Sequence, residues 1–374
     1  MKKPIWHDAL LVAATVVGLV SLQLSATTIF KLRHGRFPAM MIELMASRAI
    51  MFKIGVNGYY EHIFNERVRQ ENWREAKWLG PDRLFDPYRI YRLKPNLKNL
   101  DEWPSTENIP SNSFGYEGPE WTIQKPLNTR RVALLGDSVT EGWGANPDQS
   151  YGVLLENRLN ATHAGGPAEQ FQIMRFAVGG YRLTESLDVA EQDVPQFNPD
   201  VYVVALTELS VFRSWDAHLV DLAALGLDAK YDFLRDVMRK SGASQKDPDD
   251  VLYAKLDPFR IEVLRNTLLE MKANAERHHA QFMVLLVPSV EDADLRTARF
   301  VGIPELLASL NITTVNVLDT FDNIPNVVPL RVGRADVHPN SQGHAMIAAN
   351  LYNKLRSQPA AWTALVGNAP SPTQ

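Results

Sequence analysis

From Arg130 onward the chain alternates short apolar runs with longer amphipathic ones, and the short runs are apolar throughout rather than at every second residue. Val201-Tyr202-Val203-Val204-Ala205-Leu206 is the clearest of them. A strand with one wet face alternates polar and apolar residues, whereas a parallel strand covered by helices on both faces does not. The pattern predicts strands at 131–135, 171–176, 200–206, 281–287 and 313–317, and helices at 150–160, 183–194, 258–279, 304–309 and 341–356. The expected fold class is therefore α/β: a three-layer α/β/α sandwich around a parallel, flavodoxin-like sheet. Such sheets gather their chemistry beyond the carboxyl ends of the strands.

The first of those strand ends carries Leu135-Gly136-Asp137-Ser138-Val139-Thr140-Glu141-Gly142. A hydroxyl where a strand turns into a helix lies beside free backbone N–H groups and the positive end of the helix dipole, which favour developing negative charge. Ser138 is the candidate nucleophile. Alone, the Gly-Asp-Ser tripeptide also reads as an ordinary helix cap. The distant segment Asp336-Val337-His338-Pro339-Asn340-Ser341-Gln342-Gly343-His344, just before the last apolar helix, supplies what the serine needs. His338 is the candidate base and Asp336 the candidate orienter, the division of labour of nucleophilic catalysis.

These two segments resemble the SGNH (GDSL-type) hydrolases, a family of esterases, lipases, carbohydrate deacetylases and some O-acyltransferases. The resemblance spans about residues 128 to 356: Gly136-Asp137-Ser138 matches the serine block, and His338-Pro339-Asn340 with Gly343 the last block. It implies that Gly179, the better match, or Gly180 close behind it, in Phe176-Ala177-Val178-Gly179-Gly180-Tyr181, supplies a backbone donor to the oxyanion. Two departures stand out. Where the family carries Gly-x-Asn-Asp, this chain has Ala205-Leu206-Thr207-Glu208-Leu209-Ser210. Thr207 or Ser210 is left to offer a hydroxyl donor, and Glu208 only if protonated. The family's aspartate stands three residues before the histidine, where Ala335 is found, and Asp336 stands two before it.

Other polar residues carry less. His278 and His279 end a helix, where cations suit the dipole. His218 lies in a long insertion and is open to a substrate contact, His344 reads as packing or capping, and Asp148 and Glu141 as surface or capping carboxylates. With no HExxH motif and zero Cys, no metal site is expected, and no cofactor. A net charge of −4 without a basic stripe argues against a nucleic-acid partner.

Ala9 to Phe30 holds no charged side chain; its 22 residues would span about 33 Å as a helix, enough for a bilayer core. Residues 1–36 are accordingly expected to be a retained membrane anchor, with a signal peptide as the alternative. Lys2 and Lys3 on one side oppose Lys31, Arg33 and Arg36 on the other, so charge does not fix the orientation. The family resemblance points to a single-pass inner-membrane protein with its catalytic domain on the periplasmic, extracytoplasmic side. Phe37 to Val56 reads as a Met-rich helix resting on the membrane or the domain. Residues 37–127 form a leader that includes Asn112-Ser113-Phe114-Gly115, either packed beside the site entrance or a simple linker. The catalytic domain is expected at 128–358 and a tail at 359–374. An insertion at 211–256, with Trp215, His218, Tyr231 and Phe233, is either a lid or decoration.

The resulting expectation is a membrane-anchored serine esterase or O-acyltransferase acting on acyl esters, acetyl foremost, of an extracytoplasmic glycan. Two alternatives remain open: a catalytically weak glycan-binding or assembly component, and a lipid or thioester hydrolase at the membrane surface.

Overall fold

The computed structural model describes residues 83–97, 111–162, 170–212, 214–334 and 336–367. The anchor expected within 1–36 and the Met-rich segment 37–56 lie outside the described residues. Among the described residues no helix is long and apolar enough to cross a membrane.

A two-stranded antiparallel hairpin, β1 (Arg83–Asp86) and β2 (Ile90–Leu93), precedes the main sheet. That sheet has five strands: β3 (Thr129–Gly136), β4 (Gln170–Ala177), β5 (Val201–Leu206), β6 (Gln281–Leu286) and β7 (Thr313–Asn316). They lie in the order β4-β3-β5-β6-β7, every pairing parallel. Counted from β3 this is the 2-1-3-4-5 order of flavodoxin-like sheets, whose direction of winding reverses beside the first strand. Ser138, Gly179 and Thr207 thus follow the ends of three adjacent strands at that reversal.

The apolar runs are explained by burial on both faces. Along β5, Tyr202, Val204 and Leu206 enter one hydrophobic cluster, while Val201, Val203 and Ala205 enter the other. On the first face pack α3 (Leu183–Gln192), α8 (Arg260–Arg277) and α10 (Ile303–Ser309), through residues such as Leu187, Leu268, Met271 and Leu307. On the second pack α2 (Tyr151–Thr162) and α11 (Ser341–Ser357), through Leu155, Leu159, Ile347 and Leu351. The single turn α1 (Ser138–Glu141) and the short α4 (Glu208–Val211) cap β3 and β5, and the short α9 (Ala293–Arg299) follows β6.

One region differs from the expectation, and two that were left open between alternatives are decided. The stretch assigned to a tail begins with a helix, α12 (Pro359–Val366), whose Ala361, Leu365 and Val366 are buried in the second cluster, so the domain extends through it. The described part of the leader, 83–97 and 111–127, is packed into the core: Tyr88, Ile90, Tyr91, Leu93, Tyr116 and Trp121 all join the first cluster. Arg89 fastens it further, pairing with Asp188 and Asp193 at 2.6 Å each. The insertion folds as α5 (Ala217–Leu225), α6 (Asp232–Ser241) and α7 (Asp249–Leu256). Most of its aromatic residues turn inward: Trp215 is buried in the first cluster, and Tyr231 and Phe233 pack against it, whereas Phe212 is exposed and lies under the Arg260 guanidinium. A lid would keep such rings free to meet substrate; Trp215, Tyr231 and Phe233 are spent on the core.

Candidate active site

β3 ends at Gly136 because no side chain fits there: a Cβ would lie 2.3 Å from Thr140 Oγ1. Asp137 then caps α1, its Oδ1 accepting the Val139 N–H at 3.0 Å. Ser138 opens that turn, and Gly142 ends it in the left-handed conformation, with φ of 107°. The Ser138 carbonyl accepts the N–H groups of Gly142 and Trp143. The nucleophile candidate therefore sits on a tight, capped corner at the carboxyl end of β3.

The second segment is shaped by Asn340, whose side chain accepts the N–H groups of Gln342 and Gly343 at 3.1 Å and donates to the Pro329 carbonyl at 2.8 Å. It starts α11 and anchors the loop before it. Val332 N–H bonds the His338 carbonyl at 3.0 Å, and Val290 N–H bonds the Val337 carbonyl at 2.8 Å, tying the loop to the segment that follows β6. Gly343 is required by closeness, since a Cβ would meet Pro339 Cβ at 2.8 Å.

The two corners meet. Ser138 Oγ lies 2.7 Å from His338 Nε2, across 200 residues of sequence. His338 Nδ1 lies 2.5 Å from Asp336 Oδ1, and the same oxygen accepts the His338 backbone N–H at 3.0 Å. Burial works to raise the Asp336 carboxyl, but the charge and hydrogen bonds of His338 outweigh it and hold it below its ordinary value. The Trp143 ring stands edge-on to His338, 6.4 Å between centroids. Ser138 is 7% exposed and the His338 side chain 19%, so the reacting atoms are sheltered but reachable.

Gly179 lies beside Ser138, where a Cβ would be 3.7 Å from Ser138 Cβ and 2.8 Å from Glu141 Oε2. Its N–H is given to the Glu141 carboxyl, so the expectation that it serves the oxyanion is corrected and Gly180 is left as the donor of that turn. Gly180 follows at φ of 90°, against the Tyr91 hydroxyl. Thr207 is not turned to the serine. Its hydroxyl donates to Asp137 Oδ2, so its one proton serves the buried carboxylate that caps the serine turn. Burial raises the Asp137 carboxyl, and the bonds from Thr207 and Val139 oppose that rise. Glu208 pairs with Arg299, which also binds Glu291, an arrangement of carboxylates rather than of a protonated donor. Ser210 is buried.

Of the other polar residues, Glu141 and His218 differ from the readings above, while His344 and His278 agree with them. Glu141 is no surface group: it is buried three residues after the nucleophile, and burial raises it to about 7 against the Gly179 backbone bond and the charges of Arg83 and Arg175. His218 meets the Thr184 hydroxyl at 2.8 Å and the Tyr88 carbonyl at 2.6 Å, buried, which leaves it structural. His344 is buried against Tyr151 and accepts its N–H at 3.3 Å, a packing role; burial lowers it to about 3. His278 caps the end of α8. Sequence reasoning missed Tyr91 and Trp143, whose positions carry no local pattern. Glu141 offered one signal, its three-residue spacing from Ser138 within a turn. Among the described residues no group of three or more His, Asp or Glu side chains converges as a metal site would.

No family model matches the chain, and no curated protein does. Solved structures similar to it include TesA, at 12% identity, 61% of this chain, 99% of that one and a TM-score of 0.40. The psychrotrophic esterase EstA from Pseudoalteromonas sp. is similar at 11%, 61%, 97% and 0.39. A catalytic mutant of an acetylxylan esterase from Geobacillus stearothermophilus is similar at 13%, 60%, 94% and 0.41. The functional reading rests on this chain's own side chains.

Proposed function

We propose that this chain is a serine-dependent esterase or O-acyltransferase, working through an acyl-enzyme on Ser138. The observation that carries the reading is the continuous relay Ser138 Oγ, His338 Nε2, His338 Nδ1, Asp336 Oδ1, at 2.7 and 2.5 Å. His338 takes the Ser138 proton as Oγ attacks the ester carbonyl, and Asp336 holds the ring in the tautomer that leaves Nε2 able to accept. The backbone N–H groups of Ser138 and Gly180 are the donors offered to the oxyanion that forms, the Gly179 N–H being already given to the Glu141 carboxyl. Collapse expels the alcohol, which receives the proton from His338, and the acyl group stays on Oγ. Water or a sugar hydroxyl then attacks the acyl-enzyme, with His338 as base again; hydrolysis and transfer differ only in that acceptor.

The substrate class we propose is an acylated, foremost acetylated, glycan outside the cytoplasm. Residues 1–36 would anchor the chain in the inner membrane, with the catalytic domain on the periplasmic side. The uncharged stretch from Ala9 to Phe30 and the motif resemblance support that placement. The full-length protein is to be given an O-acetylated oligosaccharide, with and without an unacetylated acceptor. Acetate release and acetyl transfer are then followed, and the acylated peptide is mapped by mass spectrometry. Acetyl on Ser138 is expected. Preference for long acyl chains over acetyl overturns the glycan reading in favour of a lipid substrate, and saccharide binding without any acyl adduct overturns the enzymatic one.

A further inference from the structure

The leader hairpin reaches the loop beside the nucleophile. Tyr91, on β2, donates its hydroxyl to the Gly179 carbonyl at 2.6 Å. The contact is close: a Cβ on Gly180 would lie 2.4 Å from the Tyr91 oxygen, so only glycine leaves the phenol its place. Tyr91 is itself held. The Tyr181 hydroxyl donates to the Tyr91 carbonyl at 2.5 Å, the two rings lie 5.4 Å apart, and the Arg83 guanidinium sits 4.3 Å from the Tyr91 ring centre. Burial pushes the Tyr91 phenol well up, so it remains a donor at any working pH.

Two consecutive glycines form the least constrained backbone a chain can have. An oxyanion donor, by contrast, is useful only when it need not reorganise during the reaction. In this protein the freedom is removed from outside. A peptide unit is planar, so fixing the Gly179 carbonyl fixes the whole Gly179–Gly180 plane, including the direction of the Gly180 N–H. The next carbonyl is held as well, since Arg182 donates to Gly180 O and its Nε donates to the Ser214 carbonyl at 2.6 Å. Both carbonyl oxygens of the turn are thus bound by protein donors, which keeps their partial negative charge from swinging toward the place where an oxyanion forms.

We propose that Tyr91 is a positioning residue for oxyanion stabilisation: the leader hairpin is a working part of the site, and its phenol sets the Gly179–Gly180 peptide next to Ser138. This rests on the serine-esterase reading above. It assigns the leader a task that a linker or a purely packing element would not have.

The test compares Tyr91→Phe with Tyr88→Phe in the full-length protein. Tyr88 lies in the same leader segment, is buried likewise, and donates its hydroxyl to the Thr184 carbonyl at 3.2 Å, away from the glycine turn. Steady-state turnover of a short-chain activated ester, the rate of Ser138 modification by a fluorophosphonate, and the melting temperature are measured for each. Misplacing a reacting geometry by a fraction of an ångström to an ångström costs up to about a hundredfold. Tyr91→Phe is expected to lower kcat by about tenfold to a hundredfold with KM within about twofold, and to slow phosphonylation in parallel, because the phosphoryl oxygen uses the same donors. Tyr88→Phe is expected to lower the melting temperature while kcat holds. Gly180→Ala attacks the same contact from the other side and should reproduce the kcat loss if Tyr91→Phe fails to fold. Unchanged kcat in Tyr91→Phe, or equal losses in the two tyrosine variants, overturns the inference alone, provided that the wild type turns over and Ser138→Ala does not. A folded wild type that neither hydrolyses nor labels overturns the serine-esterase reading, and this inference with it.

Discussion

Asp336 stands in an unusual register, two residues before the base, and its geometry makes a particular prediction about Asp336→Asn. One oxygen, Oδ1, accepts both the His338 ring N–H and the His338 backbone N–H. An asparagine that turned its NH2 toward that position would face a backbone donor with another donor, and leave a half-buried N–H unpaired at a cost of about 1–3 kcal/mol. The amide oxygen should therefore stay where Oδ1 is, and the imidazole should keep the tautomer that can accept from Ser138. What is lost is the charge on the acceptor. A hydrogen bond to a charged group contributes about 1.5–3 kcal/mol, or about ten- to a hundredfold in rate at 1.36 kcal/mol per decade. Asp336→Ala removes the acceptor and the orientation together, and should approach the loss of about 10⁴ that follows when the tautomer is wrong. Measuring kcat/KM for a short-chain activated ester separates them: about ten- to a hundredfold for Asn and at least tenfold more for Ala, at unchanged melting temperature. Equal losses in the two variants would refute the argument from the shared oxygen.

Other consequences follow from single contacts. Thr207→Val strips a donor from the buried Asp137 carboxylate, so stability should drop by about 1.5–3 kcal/mol in denaturant melts while kcat changes only a few fold. A loss of about 10² or more in kcat at intact stability would instead make Thr207 an oxyanion donor. Gly136→Ala puts a Cβ 2.6 Å from Thr140 Cβ, and overpacking of that kind costs about 1–3 kcal/mol; a melting temperature equal to the wild type would contradict the fit described. Burial raises Glu185 to about 8 from an ordinary 4.5, so the folded protein keeps a proton that the unfolded chain releases. Its contribution is complete below about pH 4.5 and is lost as pH rises toward about 8. Thermal melts between about pH 5 and about pH 8.5 should show falling stability, and Glu185→Gln, which retains an acceptor for the Arg182 N–H, should lessen the slope. Glu141 and Asp216, each raised by burial to about 7, would supply the remainder; an identical slope in the variant would count against the assignment.

The sheet was legible because its strands are buried on both faces, and burial on both faces writes itself as unbroken apolar runs such as Val201 to Leu206. Ser138 and His338 were legible because each sits in a turn whose glycine, proline and asparagine have local geometric tasks: Gly136 for space, Asn340 as a cap, Gly343 for close approach. What stayed hidden depended on distant neighbours. Glu141 looks like an exposed residue of a short turn, and only the arrival of the Gly179 loop and Arg175 shows that it is buried. Thr207 was chosen for its hydroxyl, but the direction of a hydroxyl is decided by the nearest hungry acceptor, here Asp137. His218, Trp215, Tyr231 and Phe233 were open to a ligand surface, yet they are built into the core. Tyr91 lies 47 residues before the nucleophile in an ordinary-looking hairpin, and no spacing rule connects it with Gly179.

Ser138 as an activated nucleophile is the claim on which the rest depends. Intact-mass measurement of the full-length protein after exposure to a fluorophosphonate, with peptide mapping and Ser138→Ala beside it, tests that claim most directly. The account predicts a single phosphonyl adduct on Ser138 in the wild type and none in the variant. A folded wild type that stays unmodified, or a variant that is labelled as fast as the wild type, would contradict it.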